Sequence, residues 1–371
     1  MNRYHRRATG DEVKDEVDSR ADNGVRRTIG VTMGDPAGIG AEVIVKALAD
    51  ERLRTRARYI IYGSAERIAY AADEAELTPF WFNVPHDAPR RIESGVVVMD
   101  FDDAPLPPPG TRRDSAEGGE ASMRYLEAAI EDLRNGSIDA LATAPISKTS
   151  WKLAGYKYPG HTELLAHRFK TARVTMMFVG GPFRVALASI HEPLFELRHS
   201  FTIGKVFQPI DLLHAALRDW FGIDAPRIAV AGLNPHASEA GLFGDEEARI
   251  IEPAIGMARE AGINAEGPFA ADTLFWRAAQ GEFDGVVAMY HDQGLIPVKL
   301  AAFDTAVNVT LGIPAIRTSV DHGTAFDLAG KNRADCGSMR AAIRLSIELA
   351  ERKGAPCVTA THSSGDEGGV S

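Results

Sequence analysis

Thr28-Ile29-Gly30-Val31-Thr32-Met33 runs straight into Gly34-Asp35-Pro36-Ala37-Gly38-Ile39-Gly40, after which Ile39, Val43, Ile44 and Ala47 recur at helical spacing. A β-favouring run, a breaker-rich turn and an apolar helix face are the opening of an α/β fold. The turn itself has two readings: free N–H groups and the positive end of a helix dipole that suit an anion, or a tight connection that needs glycine's backbone freedom. It is not a Rossmann fingerprint, because Val43 stands where the third small residue belongs, and no G-x-x-x-x-G-K-[ST] occurs. Outward from it, strand-like runs at 58–62, 95–99, 138–142, 174–179, 183–188, 227–232, 284–290 and 307–311 alternate with helix-like stretches at 123–133, 212–221, 246–261 and 339–349. That alternation predicts a mostly parallel sheet, with functional groups just after the strand ends.

The 371 residues exceed one small module, and 45% hydrophobic composition can fill a core. A net charge of −10 argues against nucleic acid as a partner, though a few local cations still suffice for an anionic small molecule. No run approaches the ~20 apolar residues of a membrane span. Cys336 and Cys357 are too few for a disulfide framework, which points to a reducing, cytoplasmic setting. Residues 1–27 and 354–371 are polar, poor in large aliphatics and read as disordered tails.

Four histidines fall in breaker-rich loops: Gly160-His161-Thr162-Glu163, Ser189-Ile190-His191-Glu192-Pro193, Asn234-Pro235-His236-Ala237 and Tyr290-His291-Asp292-Gln293-Gly294. The last three each follow a strand-like run, so in a parallel sheet they can converge as three imidazoles around a divalent metal. The bland alternative is three unrelated histidines bonded to backbone. Lys299, Asn308 and Arg317 interrupt otherwise apolar segments and suit a phosphate or carboxylate, unless internal salt bridges absorb the charges. After them, Asp321-His322-Gly323-Thr324 opens a polar, small-residue loop of a kind that can wrap an adenosine.

Taken together, GDPAGIGAE (34–42), TAPISK (143–148), PGHTELLA (159–166), GLNPHASEAGLFGDEE (232–247), ADTLF (271–275), MYHDQGLIPVK (289–299) and VNVTLGIPAIRTSVDHGTAFDLAG (307–330) resemble the 4-hydroxythreonine-4-phosphate dehydrogenase family of pyridoxal phosphate biosynthesis. The resemblance runs in order over roughly residues 28–350. It implies a two-lobed α/β fold like that of isocitrate and isopropylmalate dehydrogenases, with parallel or mixed sheets and an interlobe cleft. Residues 28–145 with 310–353 would form the first lobe and 146–309 the second. It also implies a homodimer with the active site at the subunit interface. His191, His236 and His291 become ligands of one divalent ion (zinc, magnesium or cobalt), one of them contributed across that interface. His161, Thr162, Lys299, Asn308 and Arg317 become contacts to a small phosphorylated anion. Asp321, His322, Gly323 and Thr324 lie on the NAD or NADP side.

The implied reaction is oxidation of 4-phosphohydroxy-L-threonine at C3, then decarboxylation to 3-amino-2-oxopropyl phosphate. Lys148, Asp292 and a metal-bound hydroxide are the candidate bases. Ser147 departs from the family, where Asn or His is common before the lysine. It resembles paralogues that oxidise 4-phospho-D-threonate, 4-phospho-D-erythronate or aromatic cis-dihydrodiol carboxylates. A metal- or ligand-binding protein on the same scaffold is the non-enzymatic alternative.

Overall fold

The computed structural model describes residues 26–88 and 95–353, so the two tails, apart from Arg26 and Arg27, lie outside it, as does Cys357. Twelve strands form one sheet: β1 (Thr28–Thr32), β2 (Arg58–Gly63), β3 (Trp81–Pro85), β4 (Val96–Asp100), β5 (Ala140–Thr143), β6 (Thr175–Gly180), β7 (Phe183–Leu187), β8 (Ile228–Ala231), β9 (Ala265–Phe269), β10 (Gly285–Ala288), β11 (Val307–Leu311) and β12 (Ile316–Val320). Their order is β3-β4-β2-β1-β5-β12-β11-β6-β7-β10-β8-β9. Pairing is parallel except at β12–β11, β11–β6 and β6–β7. The expected mixed α/β architecture with a mostly parallel sheet is therefore present. β1, β5, β8, β10 and β12 are buried along their whole length, and their Val-, Ile- and Ala-rich runs reflect helices covering both faces. Among the described residues no helix is long and apolar enough to cross a membrane.

The opening turn is a packing device. Asp35 N donates to Pro145 O at 3.1 Å, clamping the end of β1 against the end of β5. Gly34 adopts φ +73°, and a Cβ there would stand 2.2 Å from Pro145 O. Gly40 opens the helix Gly40–Leu48, and its Cβ would meet Met33 O at 1.9 Å. Glycine is thus demanded by both backbone angle and space. Gly34→Ala is expected to cost about 2 kcal/mol, from left-handed strain plus the clash. Urea unfolding measures this, and an unchanged midpoint would remove the clamp from the account.

The helix read at 123–133 spans Ala116–Asn135. The Ser115 hydroxyl accepts from Gly118 N at its start, and Gly136 (φ 79°) ends it in a left-handed cap. Gly118 and Gly119 hide that first turn from a propensity reading, yet they are there for space: a Cβ on Gly119 would lie 2.1 Å from Ser150 O. Two of the four segments read as loops are helix starts instead. His161 and His291 are the first residues of the helices His161–Arg168 and His291–Ala302. The second helix carries Gly294 and Pro297 inside it, residues that read as breakers. Gly294 is required because a Cβ would meet Leu187 at 2.8 Å and Val185 at 3.0 Å.

Candidate active site

A cleft of about 390 Å³ opens at the middle of the sheet, where β5, β12, β11 and β6 lie side by side. It gathers Lys148, His161, Thr162, His191, Asn308, Arg317, His322, Gly323 and Thr324 from the residues expected to act. Arg317, on β12, is 2% exposed. It donates to the Thr143 hydroxyl at 2.7 Å and the Thr310 hydroxyl at 3.1 Å. Among the described residues no carboxylate lies within 4.0 Å of it, so an internal salt bridge does not account for this charge. Burial pushes its guanidinium below the ordinary arginine range, with the Glu163 carboxylate opposing. Asn308, facing Ser319 across the β11–β12 ladder, spends its amide N–H on Met176 Sδ at 3.7 Å and has no partner at Oδ1.

His161 is half-buried, its ring tilted against Trp151 at 5.7 Å, and its Nε2 is out of solvent and unpartnered. Burial, reinforced by Arg317 and Lys148, holds the imidazole well below the usual histidine value, so it stays neutral at pH 7. Thr162 Oγ1 and Arg317 Nε are likewise buried without partners. Four such atoms converging on one cavity are more than folding alone explains, since buried polar groups in native structures are nearly always satisfied. They fit a polar, anionic ligand.

The three candidate metal ligands leave neighbouring parallel strands, because β7, β10 and β8 are consecutive in the sheet. The rings of His191 and His291 stand 5.7 Å apart. Burial lowers the His191 pKa, helped by Lys148 and His291, which favours the unprotonated form that a metal requires. His291 Nδ1 is 2.7 Å from Asp292 Oδ1, a pairing that leaves Nε2 free as a ligand atom. Asp292 is exposed and, like His291, lies outside the cleft lining.

His236 sits in the turn Pro235–Glu239. Its φ is +52°, and left-handed backbone continues through Ala240. Its ring faces Phe243 at 6.0 Å. No set of three ligand atoms within one chain joins it to His191 and His291 among the described residues; the one such set is His86, Asp102 and Asp103, at a separate place in the sequence and with both aspartates exposed. The donor set thus fits a metal for two of the three imidazoles within a single chain.

Two residues brace this arrangement and were not singled out in the sequence. Glu247, 1% exposed, accepts from Leu233 N (2.8 Å), Asn234 N (2.7 Å) and Asn234 Nδ2 (2.9 Å), pinning the His236 turn. Gln293 accepts from Met289 N and donates to Gly232 O, each at 2.7 Å, tying the β10 end to the β8 end. Their signal was present, since both sit inside quoted motifs, but a reading focused on histidines passes over them.

At the 321–324 loop, Ile39 N donates to Thr324 O at 3.0 Å, so the opening turn and that loop touch. A smaller pocket of about 80 Å³ lies where 36–42 meets Ala329 and Gly330, with Arg67, Tyr70 and Arg112 in its wall. Lys299 does not line the cleft. Its ammonium donates to the Asp321 carbonyl at 2.8 Å and stands 2.6 Å from the Asp321 carboxylate, an ion pair within the chain. Ser147 is also turned away: buried, it accepts from Ser150 N as the cap of the helix Lys148–Leu153 and donates to Asp114. The residue that departs from the family pattern therefore caps a helix start beside the cleft and does not line it.

The model of the pyridoxal phosphate biosynthetic protein PdxA family matches residues 55–346. A 4-hydroxythreonine-4-phosphate dehydrogenase from Geobacter metallireducens is 46% identical over 338 residues, 87% of this chain and 96% of its own. A D-threonate 4-phosphate dehydrogenase from Cupriavidus necator is 45% identical over 331 residues, 88% of this chain and 98% of its own. The crystal structure of 4-hydroxythreonine-4-phosphate dehydrogenase from Klebsiella pneumoniae superposes with a TM-score of 0.78 at 39% identity, covering 87% of this chain and 99% of that one. The chain belongs to the PdxA family of pyridoxal phosphate biosynthetic proteins and is an oxidoreductase acting on a CH–OH group.

Proposed function

We propose that the chain oxidises 4-phosphohydroxy-L-threonine at its C3 hydroxyl, with NAD or NADP as hydride acceptor, and that the resulting β-keto acid loses CO₂ to give 3-amino-2-oxopropyl phosphate. The observation that carries this reading is Arg317: a buried guanidinium with no carboxylate, facing a cavity shared with the unpartnered atoms of His161, Thr162 and Asn308. These four groups bind the substrate's anionic ends. The family resemblance adds Lys299, which must exchange Asp321 for substrate to do so. His322, Gly323 and Thr324 place the nicotinamide nucleotide against the same cavity, with Asp321 behind them. Lys148 lines the cleft and Asp292 does not, which makes Lys148 the better candidate to move the hydroxyl proton.

His191 and His291, with His236 of the partner subunit, would hold a divalent ion of the zinc, magnesium or cobalt type. When bound, that ion supplies Lewis acidity toward the hydroxyl being oxidised. A shared site is supported by what surrounds the histidines. Ile296, Leu300 and Phe303 are 65, 88 and 71% exposed at i, i+4 and i+7 from the helix begun by His291. Leu194 and Phe195 follow His191, and Leu242 and Phe243 follow His236, all exposed. So much uncovered apolar surface beside one set of residues fits a second copy of this chain.

The deciding experiment follows NADH and NADPH absorbance with 4-phosphohydroxy-L-threonine beside 4-phospho-D-threonate, with divalent metal added. Turnover of the amino compound at higher kcat/KM is expected. Preference for the threonate would move the chain to that branch, and no turnover of either would favour a binding protein.

A further inference from the structure

The cleft is lined by Lys148, His161, His191, Arg317 and His322, and among the described lining residues it contains one carboxylate, Glu163. Glu163 lies in the first turn of the helix His161–Arg168. Its Oε2 and the Cε of Lys148 both arch over Gly160, 3.4 and 3.5 Å from where a Cβ would stand on that residue. Its charge reaches two other walls of the cavity, where burial lowers the pKa of Arg317 and of His191 and the Glu163 carboxylate partly opposes that lowering. Yet no Lys, Arg or His nitrogen among the described residues comes within 4.0 Å of its carboxylate. An acid set among cations and ion-paired with none of them is available to a ligand. Its chemistry is opposite to that of every other charged group facing the cavity.

We propose that Glu163 is the counter-charge for the ammonium group of an α-amino-acid substrate, and that it makes the site select an amine at C2 over a hydroxyl. This rests on the reading of the cleft given above. 4-Phosphohydroxy-L-threonine and 4-phospho-D-threonate share a carboxylate, a C3 hydroxyl and a phosphate, but C2 bears an ammonium in the first and a hydroxyl in the second. Arg317, His161 and Lys148 serve the anionic ends of both. The charged pair Arg317 and Lys148 repels the ammonium, and Glu163 is the group that reverses that repulsion. A carboxylate–ammonium contact is a charge-assisted bond, whereas a hydroxyl gains from the same oxygen only a neutral-donor bond.

The test is Glu163→Gln, which keeps shape and removes charge, in the full-length protein loaded with divalent metal and reduced nucleotide, so that no hydride transfer consumes the ligand. Dissociation constants of both compounds are measured by calorimetry at pH 7, where the amine is protonated. The amino compound should weaken by about 10- to 100-fold and the threonate by less than about threefold. Equal weakening of both would overturn the proposal, since it would mark Glu163 as a helix-start prop or a proton carrier. So would no weakening of either. A wild-type protein that binds neither four-carbon compound refutes the substrate assignment first. The pair O-phospho-L-serine and 3-phospho-L-glycerate, amine against hydroxyl at the same C2 configuration, then reads Glu163 by itself, and no preference for the amine in the wild type overturns its role.

Discussion

Arg317→Met lowers kcat/KM for the phosphorylated substrate by about a thousandfold while leaving the melting temperature unchanged or raising it. The two halves of that expectation have one cause. Arg317 is 2% exposed, and its bonds within the chain go to the neutral hydroxyls of Thr143 and Thr310. Folding therefore bears the desolvation of a guanidinium without an ion pair to offset it. Methionine fills similar volume and removes that cost. The substrate, by contrast, loses its buried cationic partner, and an anion left unpaired in the cleft is among the largest losses a binding site can suffer. Steady-state kinetics beside calorimetric melting checks both. A melting temperature lowered by more than about 5 °C with kcat/KM preserved would show that Arg317 serves the fold.

The second large effect is on His236. His236→Ala should lower turnover by at least about a thousandfold and strip the divalent ion, read by metal analysis of the purified protein. Survival of both turnover and metal content would remove His236 from the ligand set. Because His236 stands apart from the 5.7 Å pair of His191 and His291, the shared-site arrangement adds a mixing result. His236→Ala and His291→Ala proteins, each inactive, are unfolded and refolded together. In a mixed dimer one site receives an intact His291 from one chain and an intact His236 from the other, while the second site loses both. Random pairing then restores about a quarter of wild-type activity. No recovery, with mixed dimers demonstrated, would place all three imidazoles within one chain.

Much of this was legible from the chain alone. β1, β5, β7, β8, β10 and β11 were read to within a few residues, because strands buried on both faces are short apolar runs that polar and breaker residues punctuate. β12, in the middle of the sheet, was not among the runs read, and neither were β3 and β9. The last two behave differently from it. They are the two edges of the sheet and carry Pro85 and Pro268, which edge pairing tolerates and a pattern search treats as stops. The helix His291–Ala302 was hidden by Gly294 and Pro297, and only the spatial nearness of Val185, Leu187 and Ala288 explains the glycine. In the site, position after a strand picked out His191, His236 and His291. It could not tell a charge committed to a neighbour, Lys299 with Asp321, from an uncommitted one, Arg317, since the two differ in tertiary partners and not in local sequence. For the same reason Glu163, one letter of a motif, gains meaning only beside the cations that surround it.

Opening the cleft has to wring the sheet. β11 is hydrogen-bonded to β12 on one side and to β6 on the other, so an unbroken backbone ladder runs from β3 to β9 beneath the cavity. A gaping motion that parted those strands would break that ladder, while a small change of coiling shared among twelve strands breaks nothing. The floor acts as a torsion bar. Asn308 and Arg317, on adjacent strands at its centre, would keep their spacing under such a twist. Elastic resistance, spread over the whole ribbon, sets how far the walls travel toward a ligand.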